Sequence, residues 1–235
     1  MKIIKSLSVI LPVYNGEPFL EEAVQSILKQ SWLPEQIEIL IIDDASIDKS
    51  LEVAHKLEKL SNMIKVINSE KNQGIARTRN LGIQLSQYEH LAFIDADDTW
   101  SFNKLELQQS AIKEYPDLDY ILGRQTFHLY KVDKPPRWLN PLWLEESQAG
   151  WVLGTTIIEK STLLKVGLFD EQYLAGIDDT DWFSKAHEKK LTSHMLNDAI
   201  LQRKIHQSNT TTQNTLPANV ELLKLIKLKL DRLNA

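Results

Sequence analysis

The chain has 235 residues, with 27 basic against 32 acidic side chains for a formal charge of −5, and no cysteine. An acidic chain provides no field to draw in nucleic acid, and the missing thiols exclude disulfide scaffolds, zinc fingers, iron–sulfur centres and thiol nucleophiles together. Without cysteine, any metal must be held by oxygen or imidazole, and the 43% hydrophobic and 25% charged content is an ordinary globular mixture that excludes disorder of the whole chain. No apolar run approaches the ~18 residues of a spanning helix. Lys2 and Lys5 precede an apolar stretch that contains Pro12 and lacks a small-residue cleavage site, which argues against a signal peptide. The composition reads as that of a soluble, cytoplasmic protein.

Leu7 to Tyr14 is a β-rich run closed by Asn15-Gly16, which predicts a first strand. Pro18 suits the first turn of a helix, and Leu20, Ala23, Val24, Ile27 and Leu28 follow at helical spacing until Pro34. Ile37 to Ile42 is nearly continuous Ile and Leu, as expected for a parallel strand covered on both faces, and it ends in Asp43-Asp44-Ala45-Ser46. A helix is expected around residues 48 to 60 and a strand at Met63 to Ile67. After Asn72-Gln73-Gly74, a helix from Ile75 to Ser86 leads to a strand at Leu91 to Ile94, which runs into Asp95-Ala96-Asp97-Asp98. This alternation predicts an α/β fold with a mostly parallel central sheet flanked by helices. Ligands of such sheets bind outside the carboxyl ends of the strands, where both acidic clusters fall.

Beyond residue 115 the pattern weakens. Strands are expected near Tyr120 to Leu122 and Thr126 to Tyr130, then a Pro- and Trp-rich loop from Lys134 to Trp143, a strand at Val152 to Ile158, a short helix at Ser161 to Val166 and another at Asp179 to Lys189. Residues 1–210 read as one domain and 211–235 as a polar linker and an amphipathic helix. That helix, Ala218 to Leu233, places Leu223, Ile226, Leu230 and Leu233 on one face, with Lys224, Lys227, Lys229 and Arg232 adding positive charge. Packing on the domain or dimerisation is favoured over weak contact with an anionic membrane surface at the inner face of the membrane.

Asp95, Asp97 and Asp98 would repel one another without a compensating cation, and a divalent ion with a diphosphate is the natural partner. A solvated acidic turn capping the next helix is the plainer reading, as an N-cap is for Asp43 and Asp44. Asp178, Asp179 and Asp181 suit either a carboxylate base or a first helical turn that complements the helix dipole. His206, in a polar run, is either a ligand or a surface residue.

Taken together, Val9-Ile10-Leu11-Pro12-Val13-Tyr14-Asn15-Gly16, Ile41-Ile42-Asp43-Asp44-Ala45-Ser46, Asn72-Gln73-Gly74 to Arg79-Asn80, and Phe93-Ile94-Asp95-Ala96-Asp97-Asp98 resemble the family 2 glycosyltransferases. Gly167-Leu168-Phe169-Asp170-Glu171 and Asp178-Asp179-Thr180-Asp181-Trp182-Phe183-Ser184-Lys185-Ala186 are similar to two further motifs of that family, so the likeness covers roughly residues 6 to 210. The resemblance implies a Rossmann-like, glycosyltransferase A-type fold and an inverting transferase that moves a sugar from a nucleotide-diphosphate sugar to an acceptor hydroxyl, in polysaccharide or glycoconjugate synthesis. It implies that Pro12, Tyr14, Asn15, Asp43 and Asp44 serve the nucleoside, with Asp44 accepting from the base, and that Arg79 and Asp95 serve the nucleotide side. Asp97 would ligate a divalent metal, Mn²⁺ or Mg²⁺, with His206 as a further contact; Asp179, beside Asp178, would be the catalytic base. Two residues depart from the family pattern, Asp178 standing for its usual Glu and Lys185 for its usual Arg. The rival readings are a nucleotidyltransferase, which should carry Gly-rich and basic phosphate loops, and a non-catalytic module, either one that keeps its sugar nucleotide or a phospho-acceptor switch at Asp43 or Asp44. Trp138, Trp143 and Trp151 are the aromatic hints of an acceptor site.

Overall fold

A computed structural model describes residues 2–173, 177–209, 220–223 and 225–227. The first half of the chain alternates as expected: β1 (Ser6–Val13), α1 (Leu20–Leu28), β2 (Gln36–Asp43), α2 (Ser50–Leu60), β3 (Ile64–Asn68), α3 (Ile75–Leu85) and β4 (His90–Phe93). These strands form a parallel block in the order β3-β2-β1-β4. Side chains on successive strand residues point to opposite faces, and both faces are apolar. Leu7, Val9, Leu11 and Val13 of β1 join Ile39 and Ile41 of β2 under α1 and α2. Ile10, Leu40 and Ile42 join Ala76 and Ile83 of α3 on the other side. Each such side chain, fully buried, contributes ~1.5–3 kcal/mol. Gly82 lets α3 approach: a Cβ there would lie 2.5 Å from Ile10 Cγ2 and 2.7 Å from Ile42 Cδ1.

The second half comprises β5 (Asp98–Trp100), α4 (Lys104–Glu114), β6 (Tyr120–Leu129), β7 (Gln148–Ala149), β8 (Ile157–Glu159), α5 (Lys160–Val166), α6 (Asp178–Glu188) and β9 (Ser193–Ile205). It continues the sheet as β8-β6-β9-β5, with β7 beside β6. Here the sheet is mixed rather than parallel: β4–β8, β6–β8, β6–β7 and β5–β9 are antiparallel and β6–β9 is parallel. The expected α/β sheet is therefore present, with parallel pairing throughout the first block and between β6 and β9, and antiparallel pairing elsewhere in the second half. Parallel pairing needs a crossover connection each time, and only the first half alternates strand and helix regularly.

The sequence reading leaves β5, α4 and β9 without an expected element, and three of the elements it does expect differ. The two strands expected on either side of Gly123 are one strand, β6, whose pairing with β9 shifts register at Leu122, Arg124 and Gln125. Val152 to Ile158 is mostly a 3-10 turn at Leu153–Thr155, with a strand only from Ile157. In the tail, 220–223 and 225–227 are helical, but Leu225 is the buried residue while Leu223 and Ile226 are exposed. With apolar side chains at 222, 223, 225 and 226, the choice of inward face falls to tertiary contacts rather than to the pattern. The linker and the remainder of the expected amphipathic helix lie outside the described residues. Among the described residues no helix is long and apolar enough to cross a membrane.

Candidate active site

The loops leaving β1 and β2 are tied to each other. Asn15, in the left-handed region at φ 54°, donates its N–H to Ser46 Oγ at 2.9 Å and accepts from Ile47 N through Oδ1 at 2.9 Å. Ala45 holds φ 59°, a conformation costing an L residue ~1–2 kcal/mol. Asp43 stabilises that turn by accepting from Ser46 N at 3.0 Å. Asp44 reaches across to the next loop and accepts from Gln73 N and Gly74 N, each at 2.9 Å. Gly74 itself has φ 88°, which favours glycine. Both Asp44 oxygens thus hold backbone, whereas Asp43 keeps one buried oxygen, Oδ1, with no hydrogen-bond partner among the described residues. Pro12 is buried beneath these loops, whereas Tyr14 is half exposed. No N-cap role is seen for either aspartate, because α2 begins only at Ser50, where Asp48 supplies the local hydrogen bonds.

Arg79 of α3 joins two acidic segments far apart in sequence. Its Nη2 donates to Asp95 Oδ1 at 2.6 Å and its Nη1 to Asp178 Oδ2 at 2.7 Å. Burial alone would favour neutral Arg79, but Asp95, Asp178 and Asp179 outweigh it and raise its pKa further. The next residue, Asn80, pairs with Phe169 in both directions, Nδ2 to the carbonyl and Oδ1 from the N–H, each at 2.9 Å. One turn of α3 therefore carries both Asp178 at the start of α6 and the segment leading to it. Asp178 is fully buried.

Asp95 and Asp97 occupy the turn between β4 and β5, and Asp98 opens β5. The antiparallel β5–β9 ladder sets Arg203 opposite Asp98, with Nε 3.6 Å from Asp98 Oδ2. Just beyond β9, His206 Nε2 approaches Asp97 Oδ2 at 3.1 Å and Asn209 Nδ2 donates to the same oxygen at 2.9 Å. Ser208 Oγ lies 2.8 Å from His206 Nδ1, and Phe19 stacks on the ring at 4.4 Å. Burial pushes Asp97 up, yet the His206 hydrogen bond and charge and the Arg203 charge together hold it below the usual carboxylate range. Asp98 is raised well above that range, chiefly by burial, with Arg203 opposing. Arg203, over which sequence reasoning passed without a role, lies in the combined field of Asp98, Asp95, Asp97 and Asp179, and they raise its pKa against burial. Its one sequence signal is position: a cation on the same short run as His206.

The donor chemistry of Asp97 and His206, a carboxylate and an imidazole in direct contact, fits a divalent cation whose other ligands would come from phosphate and water. Among the described residues no group of three or more metal-ligating side chains stands ready, so the protein's share would be these two donors. Asp179 sits at the start of α6, half-buried, with Oδ1 accepting from Thr180 N at 2.7 Å. Burial, then the Asp178 charge, pushes its pKa up to about 6, against Arg79 and Arg203. Lys185 turns away from this centre and pairs with Asp181 at 2.5 Å. Of the three tryptophans, Trp143 stacks on Phe127 in a small cluster with Trp138, while Trp151 stands half exposed.

A parallel block, acidic loops at its carboxyl edge and a mixed extension that returns cations to those loops together define a glycosyltransferase A-type fold. The family model for glycosyl transferase family 2 matches residues 8–171, and the chain belongs to that family. A Haemophilus influenzae uncharacterized glycosyltransferase is 38% identical over 102 residues, 43% of this chain and 40% of the relative. The Bacillus subtilis putative teichuronic acid biosynthesis glycosyltransferase TuaG is 37% identical over 111 residues, 46% and 42% respectively. Among solved structures, Staphylococcus aureus TarS in complex with UDP-GlcNAc superposes with a TM-score of 0.68 at 23% identity, covering 88% of this chain and 60% of that one. The stretch aligned is thus well under half the length of these curated relatives.

Proposed function

We propose that this chain transfers a sugar from a nucleotide-diphosphate sugar to a saccharide or glycoconjugate hydroxyl by a single inverting displacement. The observation that carries the reading is the convergence of Asp179 and the Asp95–Asp97 turn on Arg79 and Arg203, which gathers a raised-pKa base and two cations at one strand edge. On this reading the exposed ring of Tyr14 and the unpartnered Asp43 Oδ1 receive the base, while Asp44 acts by holding Gln73 and Gly74 in place. Asp95, already oriented by Arg79, faces the ribose, and Arg203 faces the diphosphate. A divalent cation held by Asp97 and His206 would offset the negative charge that develops on the leaving diphosphate.

The acceptor oxygen attacks the anomeric carbon from the face opposite the diphosphate, and its bond to carbon forms as the carbon–oxygen bond to phosphate breaks. Asp179 takes the hydroxyl proton, and the nucleoside diphosphate leaves with the bonding electron pair. A pKa near 6 suits this role, since an effective base titrates close to the working pH. Asp178 orients Arg79 and, through its charge, keeps Asp179 basic. The TarS complexes with UDP and UDP-GlcNAc make UDP sugars the first donors to try, and the link of TuaG to teichuronic acid biosynthesis favours a saccharide acceptor. Release of UDP from UDP sugars, with the product anomer read by NMR, tests the proposal. A transferred sugar of inverted configuration supports it; a retained configuration contradicts the single displacement.

A further inference from the structure

A cavity of about 330 Å³ follows α6 from Thr180, next to Asp179, toward the amino ends of β6 and β9, and its character is the opposite of the acidic centre's. Thr180, Phe183, Ser184 and His187 form one wall, and their spacing puts them on a single face of α6. Thr180 directly follows Asp179, so the wall starts at the candidate base and runs ~12 Å down the helix at ~1.5 Å per residue. Trp151, Tyr120 and Ser193 close the other side. Trp151 touches Phe183 edge to face, with ring centroids 5.9 Å apart, and remains 52% exposed. Leu191 completes the described lining, which includes no Asp, Glu, Lys or Arg.

The chemistry of this lining narrows what it can hold. Pockets of ~300–1,000 Å³ with aromatic walls and a few convergent polar groups bind small ligands. An exposed indole supplies a flat apolar face with a polar tip, while the hydroxyls of Thr180, Ser184 and Ser193 and the His187 imidazole both donate and accept. Without a cation the cavity cannot repay the desolvation of a phosphate or carboxylate. A neutral, polyhydroxylated ring with one apolar face meets every one of these conditions.

We infer that the Trp151 cavity is a saccharide subsite that holds a neutral sugar ring of the acceptor, away from the reacting hydroxyl. The inference deepens the transferase reading and rests on it for the direction of the chain. Its occupant enters at the Asp179 end of α6 and stacks on Trp151, so longer neutral acceptors gain contacts that a single sugar lacks. The test is a titration of the full chain with maltotriose, chitotriose and the anionic trimer trigalacturonate, following the indole N–H signal of Trp151 by NMR. A neutral trimer should shift that signal saturably. Trp151→Ala and, separately, His187→Ala should weaken binding at least tenfold, with UDP binding and slow donor hydrolysis unchanged. The inference is overturned if no neutral trimer moves the Trp151 signal, if trigalacturonate binds as tightly, or if affinity survives in Trp151→Ala. Trimer binding at Trp151 in a chain that hydrolyses no UDP sugar would support the subsite and count against the transferase reading alone.

Discussion

The two halves of the sheet deliver their functional groups by different means. In the parallel block, β1, β2 and the strand before Asp95 each present their last residues at the same edge, so Tyr14, Asp43 and Asp95 come together because the strands are in register. In the mixed half, Arg203 and His206 reach the Asp95–Asp98 turn only because β9 runs antiparallel to β5, a pairing of residues about a hundred positions apart. Arg79 joins the halves by holding Asp95 and Asp178 at once. Local geometry builds one wall of the site and long-range pairing the other, and the buried Arg79 guanidinium ties the first of them to the start of α6.

That joint should be the most costly to break. Arg79→Ala leaves Asp178 fully buried without its cation, which should cost ~3–5 kcal/mol and lower the thermal midpoint by about 6–20 °C. An unchanged midpoint in calorimetry would mean that the halves are held by other contacts. At the Asp97–His206 pair, Asp97→Asn should remove metal-dependent tightening of UDP binding. Asn209→Ala, which removes the amide that orients both Asp97 and His206, should weaken metal affinity by ~10–100-fold. Equal metal affinity in all three proteins by titration calorimetry would remove Asp97 as a ligand.

The pH profile sharpens the comparison from the other side. A base must be unprotonated, so transfer should fall as pH drops through about 6, the raised value for Asp179, rather than near ~4 as for an ordinary aspartate. Asp178→Asn removes a neighbouring negative charge that raises the pKa, and should move this acid limb to lower pH. A limb that stays in place would detach Asp178 from the base. The smallest effect is expected within the parallel block itself. Gly82→Ala crowds Ile10 and Ile42, an overpacking cost of ~1–3 kcal/mol reduced by the ~1 kcal/mol that alanine gains in a helix. Denaturant unfolding should show a modest loss with donor affinity unchanged.

How much could be read from sequence follows the same division. The strands ending at Val13 and Asp43 were legible because both faces are apolar and the runs are continuous. Helix α4 was not, because its inward face interleaves Leu105, Ala111 and Ile112 with polar side chains: Gln109 accepts from Ile4 N at 2.7 Å, Gln108 donates to Thr155 O at 2.8 Å, and Lys104 donates to Gln108 at 2.7 Å, all buried. Hydrophobic periodicity cannot reveal a face satisfied by hydrogen bonds. Strand β9 was missed for a related reason, since Gln202, Arg203 and Lys204 point polar groups toward β5, the site and Glu22. The acidic motifs singled out Asp95, Asp97 and Asp179 as candidates, but which of Asp43 and Asp44 keeps a free oxygen depends on the Gln73-Gly74 loop, which only the fold brings near.

The central claim is that Asp179 removes the acceptor proton across a donor site it does not itself build. The direct test compares Asp179→Asn with the unaltered chain, measuring UDP affinity by titration calorimetry and sugar transfer by product NMR on the same preparations. Affinity should stay within about twofold while transfer falls by ~10²–10⁴. Transfer that survives at the original rate, or affinity that falls in step with it, would contradict the assignment.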